Sequence, residues 1–108
     1  MIKITFYSKN DNFIGYALSG HAMYGEYGED IVCAAVSALA INASNSIEKF
    51  TDDEFENIEY EDKGYLSLVM TATISNDSLL LMKSMYVGIK QIEEEYGDDY
   101  IQLEIEEV

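Results

Sequence analysis

Residues 2–18, IKITFYSKNDNFIGYAL, indicate the fold class. Apolar side chains recur at every second position on both sides of a polar centre, at Ile2, Ile4, Phe6, Ile14, Tyr16 and Leu18. A period of two is typical of half-buried strands. The polar centre, residues 9–12, consists of good turn formers. The stretch therefore predicts an antiparallel β-hairpin at the start of the chain.

A glycine-rich segment follows this hairpin and precedes an apolar one. Residues 20–29 contain three glycines and break both periodicities, so we interpret them as a mobile loop. Asp30 is a suitable N-cap residue for a helix that begins at Ile31 and fades near Lys49. The first half of this helix is apolar nearly all round, which predicts that it runs through the core.

The second half of the chain repeats the pattern of hairpin and helix. Residues 55–61 and 65–74 predict two strands joined by a short turn. Capping side chains at 76–78 predict a second helix that ends at Gly97, and a last strand follows at 101–105. The predicted order is β-β-α-β-β-α-β, a two-layer α+β fold with two helices packed on a mostly antiparallel sheet.

Composition restricts the function classes. The 108 residues fit one domain, and 48% hydrophobic residues are enough for a real core. Six basic residues, all Lys, stand against 21 acidic ones, and the net charge is −15. This balance argues against nucleic-acid binding, which needs clustered cations, and favours a basic protein or peptide as partner.

The cysteine and histidine content limits compartment and metal binding. Cys33 and His21 are the only residues of their types, so neither an internal disulfide nor a zinc site of soft ligands is expected. We expect no cofactor. The first residues lack a continuous apolar run, so we expect neither a signal peptide nor a transmembrane helix, and we expect the protein in the cytoplasm.

The two residues best suited to catalysis, His21 and Cys33, flank the glycine-rich segment. A cysteine at a helix start is favoured as thiolate, the nucleophilic form, and a nearby His21 would stabilise the ion pair and protonate a leaving amine. Asp30 is then either an N-cap or a group that orients His21. Ser37, one turn beyond Cys33, either bonds the sulfur or bonds back to a helix carbonyl.

Other interpretations of the same residues stay open. A lone cysteine in an apolar helix is commonly a small buried hydrophobe. A redox sensor would also use a reactive cysteine at a helix start, whereas a phosphate-binding loop is disfavoured because Glu26, Glu29 and Asp30 would face the anion. Eight acidic residues between 48 and 62, and eight more between 93 and 107, also fit a non-enzymatic acidic binding module or chaperone for a basic protein.

Residues 20–39, GHAMYGEYGEDIVCAAVSAL, resemble a known signature. They are similar to the ribosomal-processing cysteine protease (Prp) family, whose motif has a Gly-His-Ala start, spaced glycines and an Asp-Ile-Val-Cys-Ala-Ala-x-Ser segment. The matching positions are Gly20, His21, Ala22, Gly25, Gly28, Asp30, Ile31, Val32, Cys33, Ala34, Ala35 and Ser37.

The resemblance implies an endopeptidase that removes the N-terminal extension of bacterial ribosomal large-subunit protein twenty-seven. It implies Cys33 as nucleophile, His21 as general acid and base, a homodimer, and a glycine-rich loop that moves when substrate binds. It also implies an apolar pocket for bulky aromatic residues just before the cut. The substrate-loop candidates are Gly20, Ala22, Met23, Tyr24, Gly25, Tyr27 and Gly28.

Overall fold

The structure, a computed structural model, describes residues 1–20, 27–60 and 64–108, and of residues 27–30 it describes the backbone alone. Within these ranges the elements follow the predicted order: β1 (Ile2–Lys9), β2 (Asn12–Ser19), α1 (Tyr27–Phe50), β3 (Phe55–Tyr60), β4 (Tyr65–Met70), α2 (Asn76–Tyr96) and β5 (Ile101–Glu107). The predicted α+β class is confirmed.

The strands form one five-stranded sheet in the order β3-β4-β2-β1-β5. Three of the neighbouring pairs are antiparallel, and only β1 and β5 run parallel. The parallel pair is possible because the long α2 connection carries the chain back to the sheet before β5 begins. The sheet is therefore mostly antiparallel, as predicted.

The first hairpin fixes which side chains face the core. Asn10 and Asp11 both have positive φ, 53° and 66°, the backbone of a type I′ turn that matches the twist of the strands. In the resulting register Phe6 lies opposite Tyr16, and both are fully buried. Ile2, Ile4, Phe6, Tyr16 and Leu18 thus belong to the core cluster, to which both helices contribute. Ile14 departs from the predicted alternation, because a bulge in the ladder leaves it without a partner and Phe13 packs against the core instead.

Helix α1 supplies much of this core. Its buried stripe consists of Val32, Val36, Ala40, Ala43 and Ile47. By length and hydropathy alone, Ile31–Phe50 would also pass as a membrane-crossing helix, as core helices of soluble proteins do. About a third of that stretch is buried in the fold, including the five core residues, whereas Ile31, Ile41 and Phe50 are exposed.

The start of α1 differs from the prediction. The helix begins at Tyr27, so residues 27–29 of the predicted loop are helical and Asp30 lies inside the helix instead of at its N-cap. Gly28 weakens a helix but does not prevent one. The remainder of the predicted mobile loop, residues 21–26, lies outside the described residues.

A buried hydrogen bond joins α1 to the sheet. The Tyr16 hydroxyl donates to the backbone carbonyl of Ala40 at 2.9 Å. Burial raises the pKa of this hydroxyl above its ordinary value of 10.0, so Tyr16 stays neutral and can donate at any physiological pH. The contact holds the middle of α1 against β2.

A carboxylate connects the end of α1 to the start of α2. Asp53 Oδ2 accepts hydrogen bonds from the Ser78 hydroxyl (2.5 Å), the Ser75 hydroxyl (2.7 Å) and the Ser75 backbone N–H (2.9 Å). The Ser78 hydroxyl, followed by the two Ser75 donors, holds the pKa of the Asp53 carboxyl below its ordinary value. Ser75 is in turn the N-cap of α2, one residue before the predicted capping positions.

The predicted end of α2 is confirmed, whereas that of β4 is not. Gly97 is the C-cap of α2, and its N–H donates to the carbonyl of Glu93. Strand β4 ends at Met70 rather than at residue 74. Beyond Met70 the Thr71 N–H bonds the Glu54 carbonyl, just before the partner strand β3 begins, so there is no further strand residue for β4 to pair with.

Candidate active site

Cys33 lies on a second stripe of α1, beside the core stripe. Cys33, Ser37 and Ile41 are spaced four residues apart, so they share one face of the helix. The thiol group belongs to a half-buried residue that packs against the core cluster without joining it. It is therefore neither the fully buried, inert hydrophobe nor a freely exposed surface cysteine.

This face of α1 forms one wall of a cleft of about 190 Å³. The opposite walls come from the ends of β1 and β2 and from the β3–β4 hairpin. The lining residues are Ile2, Leu18, Gly20, Cys33, Ser37, Ile41, Glu59, Tyr60, Gly64, Tyr65 and Leu66. A single water needs roughly 15 Å³ by a comparable measure, so the cleft is large enough to take a substrate side chain next to the thiol.

Gly20, the residue directly before His21, lines this cleft. Its φ of +92° belongs to a region that other residues rarely adopt. A Cβ atom added here would lie 2.6 Å from the backbone oxygen of Met1, which is closer than atoms approach without displacement. Only glycine fits both constraints. Because Gly20 follows β2 and lines the cleft that contains Cys33, the chain leaves β2 at the edge of that cleft.

The predicted site residues fall into three groups. Cys33, Ser37 and Gly20 come together in the cleft. Tyr27, Gly28 and Asp30 lie in the backbone of the first turns of α1. The remaining candidates lie outside the described residues: His21, Ala22, Met23, Tyr24 and Gly25.

The extended start of α1 changes the argument for a reactive thiol. Counting Tyr27 as the first helical residue, Cys33 is the seventh and lies in the second turn. The favourable effect of a helix N-terminus falls off within the first turn, so the helix alone does not supply the stabilisation of a thiolate that we expected. The prediction that His21 stabilises a thiolate at Cys33 falls on a residue outside the described ranges.

Ser37 contributes shape to the cleft. Among the residues that the structure describes, its hydroxyl makes neither of the two hydrogen bonds that we considered, to the sulfur or back to a helix carbonyl. It is half-buried and separates Cys33 from Ile41 along the cleft wall. A small polar side chain at this position leaves the cleft open next to the thiol.

Sequence reasoning missed the wall opposite α1. Glu59, Tyr60, Tyr65 and Leu66 reach the cleft because β4 pairs with β2 in the centre of the sheet. No local pattern indicates that pairing. Ile41, by contrast, could have been found from its spacing of eight residues from Cys33 on the same helix.

Within the described ranges, no group of three or more His, Cys, Asp or Glu residues could hold a metal ion. The features that remain are a half-buried thiol, a cleft beside it and an adjoining segment that carries the only histidine. On an α+β fold, these features are typical of an enzyme that uses a cysteine nucleophile on a carbonyl compound.

Comparisons with known proteins identify this class further. A sequence model of the family described as cysteine protease Prp matches residues 1–102. The ribosomal processing cysteine protease Prp of Staphylococcus aureus strain Mu50 is 37% identical over 83 residues, which are 76% of this chain and 77% of that protein. The chain therefore belongs to the cysteine protease Prp family and is a cysteine protease.

Solved structures agree with this assignment. The S. aureus ribosomal processing protease Prp in complex with a substrate peptide superposes with a TM-score of 0.89 at 28% identity, covering 98% of this chain and 100% of that one. The same protease with a covalently linked product peptide gives a TM-score of 0.87 at 29% identity, with 98% and 100% coverage. The fold around the cleft is thus that of a peptide-binding protease.

Proposed function

We propose that this chain is an endopeptidase that cleaves the N-terminal extension from a bacterial large-subunit ribosomal protein, number twenty-seven. Cys33 is the nucleophile and His21 the general acid and base. The observation that carries the proposal is the position of Cys33 on the wall of a cleft whose rim contains Gly20, the residue joined directly to His21. Relatives named for ribosomal processing support the choice of substrate.

The reaction follows from the chemistry of the two residues. His21 takes the thiol proton, and the sulfur of Cys33 forms a bond to the carbonyl carbon of the scissile peptide. The tetrahedral intermediate collapses when the protonated His21 donates to the leaving amine, the C–N bond breaks, and an acyl-enzyme remains. Water, deprotonated by His21, attacks this thioester. The new carboxyl product leaves, and the thiol of Cys33 is restored.

The cleft favours a substrate with an apolar side chain close to the cut. Ile2, Leu18, Ile41 and Leu66 give it mostly apolar walls, and its size suits one side chain. This is the place we propose for the bulky residue that precedes the cut. Because the net charge is −15, a basic ribosomal protein would also be attracted to the enzyme at long range.

We further propose that the enzyme acts in the cytoplasm as a homodimer. A lone cysteine that must stay reduced to act as a nucleophile suits a reducing compartment. Analytical ultracentrifugation at micromolar concentration tests the dimer, and a sedimentation coefficient of a 12.2 kDa monomer would contradict it.

The proposed activity is tested with a peptide that spans the extension and its cut site. Wild type, Cys33→Ala, His21→Ala and the control Ser84→Ala are incubated with it, and products are identified by mass spectrometry. Ser84 is exposed on α2 and lies in a different groove, so its variant controls for purification and folding. We expect one cleavage by wild type and Ser84→Ala and none by the other two variants.

Each other outcome favours a different interpretation. Cleavage by Cys33→Ala would exclude Cys33 as nucleophile. Undiminished cleavage by His21→Ala would exclude the proposed acid and base. No cleavage by wild type, together with equal peroxide reactivity of wild type and His21→Ala, would favour a redox sensor. Binding of intact peptide by wild type would favour the acidic binding module.

A further inference from the structure

One carboxylate lies in the otherwise uncharged lining of the cleft. Among the described residues that line it, Glu59 is the only one with a charged side chain. Glu59 is exposed, and within the described part of the chain it forms no ion pair or hydrogen bond through its side chain. A carboxylate in this setting keeps its capacity to accept hydrogen bonds and to attract a cation.

The strand register directs Glu59 to the helix-covered face of the sheet. Glu59 lies directly opposite Leu66 in the β3–β4 ladder, and residues opposite one another in an antiparallel pair project to the same face of the sheet. Leu66 packs against the core cluster, on the face that the helices cover. Glu59 therefore projects to the helix side of the edge strand β3, where α1 presents Cys33 to the same cleft.

We propose that Glu59 is a specificity-determining residue that binds a lysine or arginine side chain of the peptide substrate near the scissile bond. This inference rests on the proposed function, because it specifies the substrate of the same site. A long cationic side chain of a neighbouring substrate residue suits the rim of the cleft: its methylene groups pack on exposed apolar surface such as Ile41, while its charged head reaches the Glu59 carboxylate.

The effect of Glu59 can be separated from that of the overall charge. The protein carries 21 acidic residues, and any of them contributes to long-range attraction of a basic peptide. Among the acidic residues that the structure describes, only Glu59 lines the cavity that contains Cys33. Glu56 is a matched control: it is exposed on the same strand, but it lies opposite Val69 and projects to the other face of the sheet.

The test uses internally quenched peptides that carry the cleavage site of the ribosomal protein. Lys, Gln or Glu is placed in turn at each position on either side of the cut, and kcat/KM is measured for wild type, Glu59→Gln, Glu59→Lys and Glu56→Gln. The readout is the ratio of kcat/KM for the Lys peptide to that for the Gln peptide. It compares two substrates on one enzyme preparation, so partial misfolding of a variant cancels.

We expect one position at which wild type prefers Lys over Gln by about fivefold, the range of a partly exposed ion pair. The ratio falls to about one in Glu59→Gln, Glu59→Lys prefers the Glu peptide there, and Glu56→Gln keeps the preference of wild type. This pattern would support Glu59 as the residue that binds the cation.

Three results would overturn the inference. A Lys preference that persists in Glu59→Gln, or that is lost equally in Glu56→Gln, would assign it to other residues or to net charge. Equal cleavage of all peptides by wild type would reject the inference and leave the proposed function intact. If wild type cleaves none of them, the proposed function fails and the inference fails with it.

Discussion

Replacing Gly20 by alanine tests how the fold places the segment that follows β2. The added Cβ would lie 2.6 Å from the Met1 oxygen, whereas ordinary contacts begin at 3.4 Å, so the atoms must separate by about 0.8 Å. The Met1 side of this contact is constrained, because the next residue, Ile2, donates its N–H to the Tyr100 carbonyl and pairs with β5. We therefore expect Gly20 itself to move, and the chain leading to His21 with it.

A matched substitution separates the two costs of this change. Gly97 has almost the same φ, 90°, but an added Cβ there has no neighbour within 4 Å. Alanine at either position costs about 1–3 kcal/mol for the unfavourable backbone conformation. Only Gly20→Ala adds a steric cost, about 1–3 kcal/mol for an overpacked site. Gly20→Ala should thus lower the free energy of unfolding by about 1–3 kcal/mol more than Gly97→Ala does.

Activity distinguishes the variants more sharply than stability. A displacement near 1 Å in a catalytic arrangement can cost about 100-fold in rate. We expect Gly20→Ala to lower kcat/KM on the extension peptide at least about tenfold, and Gly97→Ala to leave it unchanged. Urea denaturation gives the free energies, and cleavage is measured where both variants are folded. Equal destabilisation by the two substitutions, together with wild-type cleavage by Gly20→Ala, would refute the reasoning.

Three further predictions concern the core, the interhelical connection and the cleft. Tyr16→Phe removes the bond to the α1 carbonyl and should lower the free energy of unfolding by about 1–2 kcal/mol. Because burial raises the pKa of Tyr16 in the folded state, its contribution is present below pH 10.0 and is lost as pH rises beyond that value, so wild type should lose stability in alkali more steeply than the variant. Asp53→Asn should lower the unfolding free energy by about 1 kcal/mol at pH 7. The pKa of Asp53 is lowered in the folded state, so its contribution to stability is present above pH 3.8 and is lost as pH falls through the folded-state pKa. A difference in unfolding free energy between variant and wild type that is undiminished in acid would contradict this. Ser37→Leu fills the cleft and should reduce kcat/KM at least about tenfold, whereas Ser84→Leu in the other groove should not; equal kinetics of the two variants would show that the substrate does not use the cleft.

Local patterns predicted most of the fold because each depends on neighbours along the chain. The period of two in residues 2–18 and the positive-φ turn formers Asn10 and Asp11 specify a hairpin before any tertiary contact exists. The start of α1 was predicted wrongly because N-cap preference and first-turn preference favour the same acidic residues. Asp30 satisfies both rules, and only the backbone of the folded chain shows that it lies inside the helix.

The sequence by itself determined the α+β order, the acidic charge and the signature around Cys33, since all of these are properties of single residues or of short spacings. Only the tertiary structure decided what faces the thiol. Strand pairing across the sheet brings Glu59 and Leu66 from the second hairpin to the cleft of a cysteine that precedes them by more than 20 positions. Such contacts depend on the order of strands in the sheet, which no period along the chain encodes.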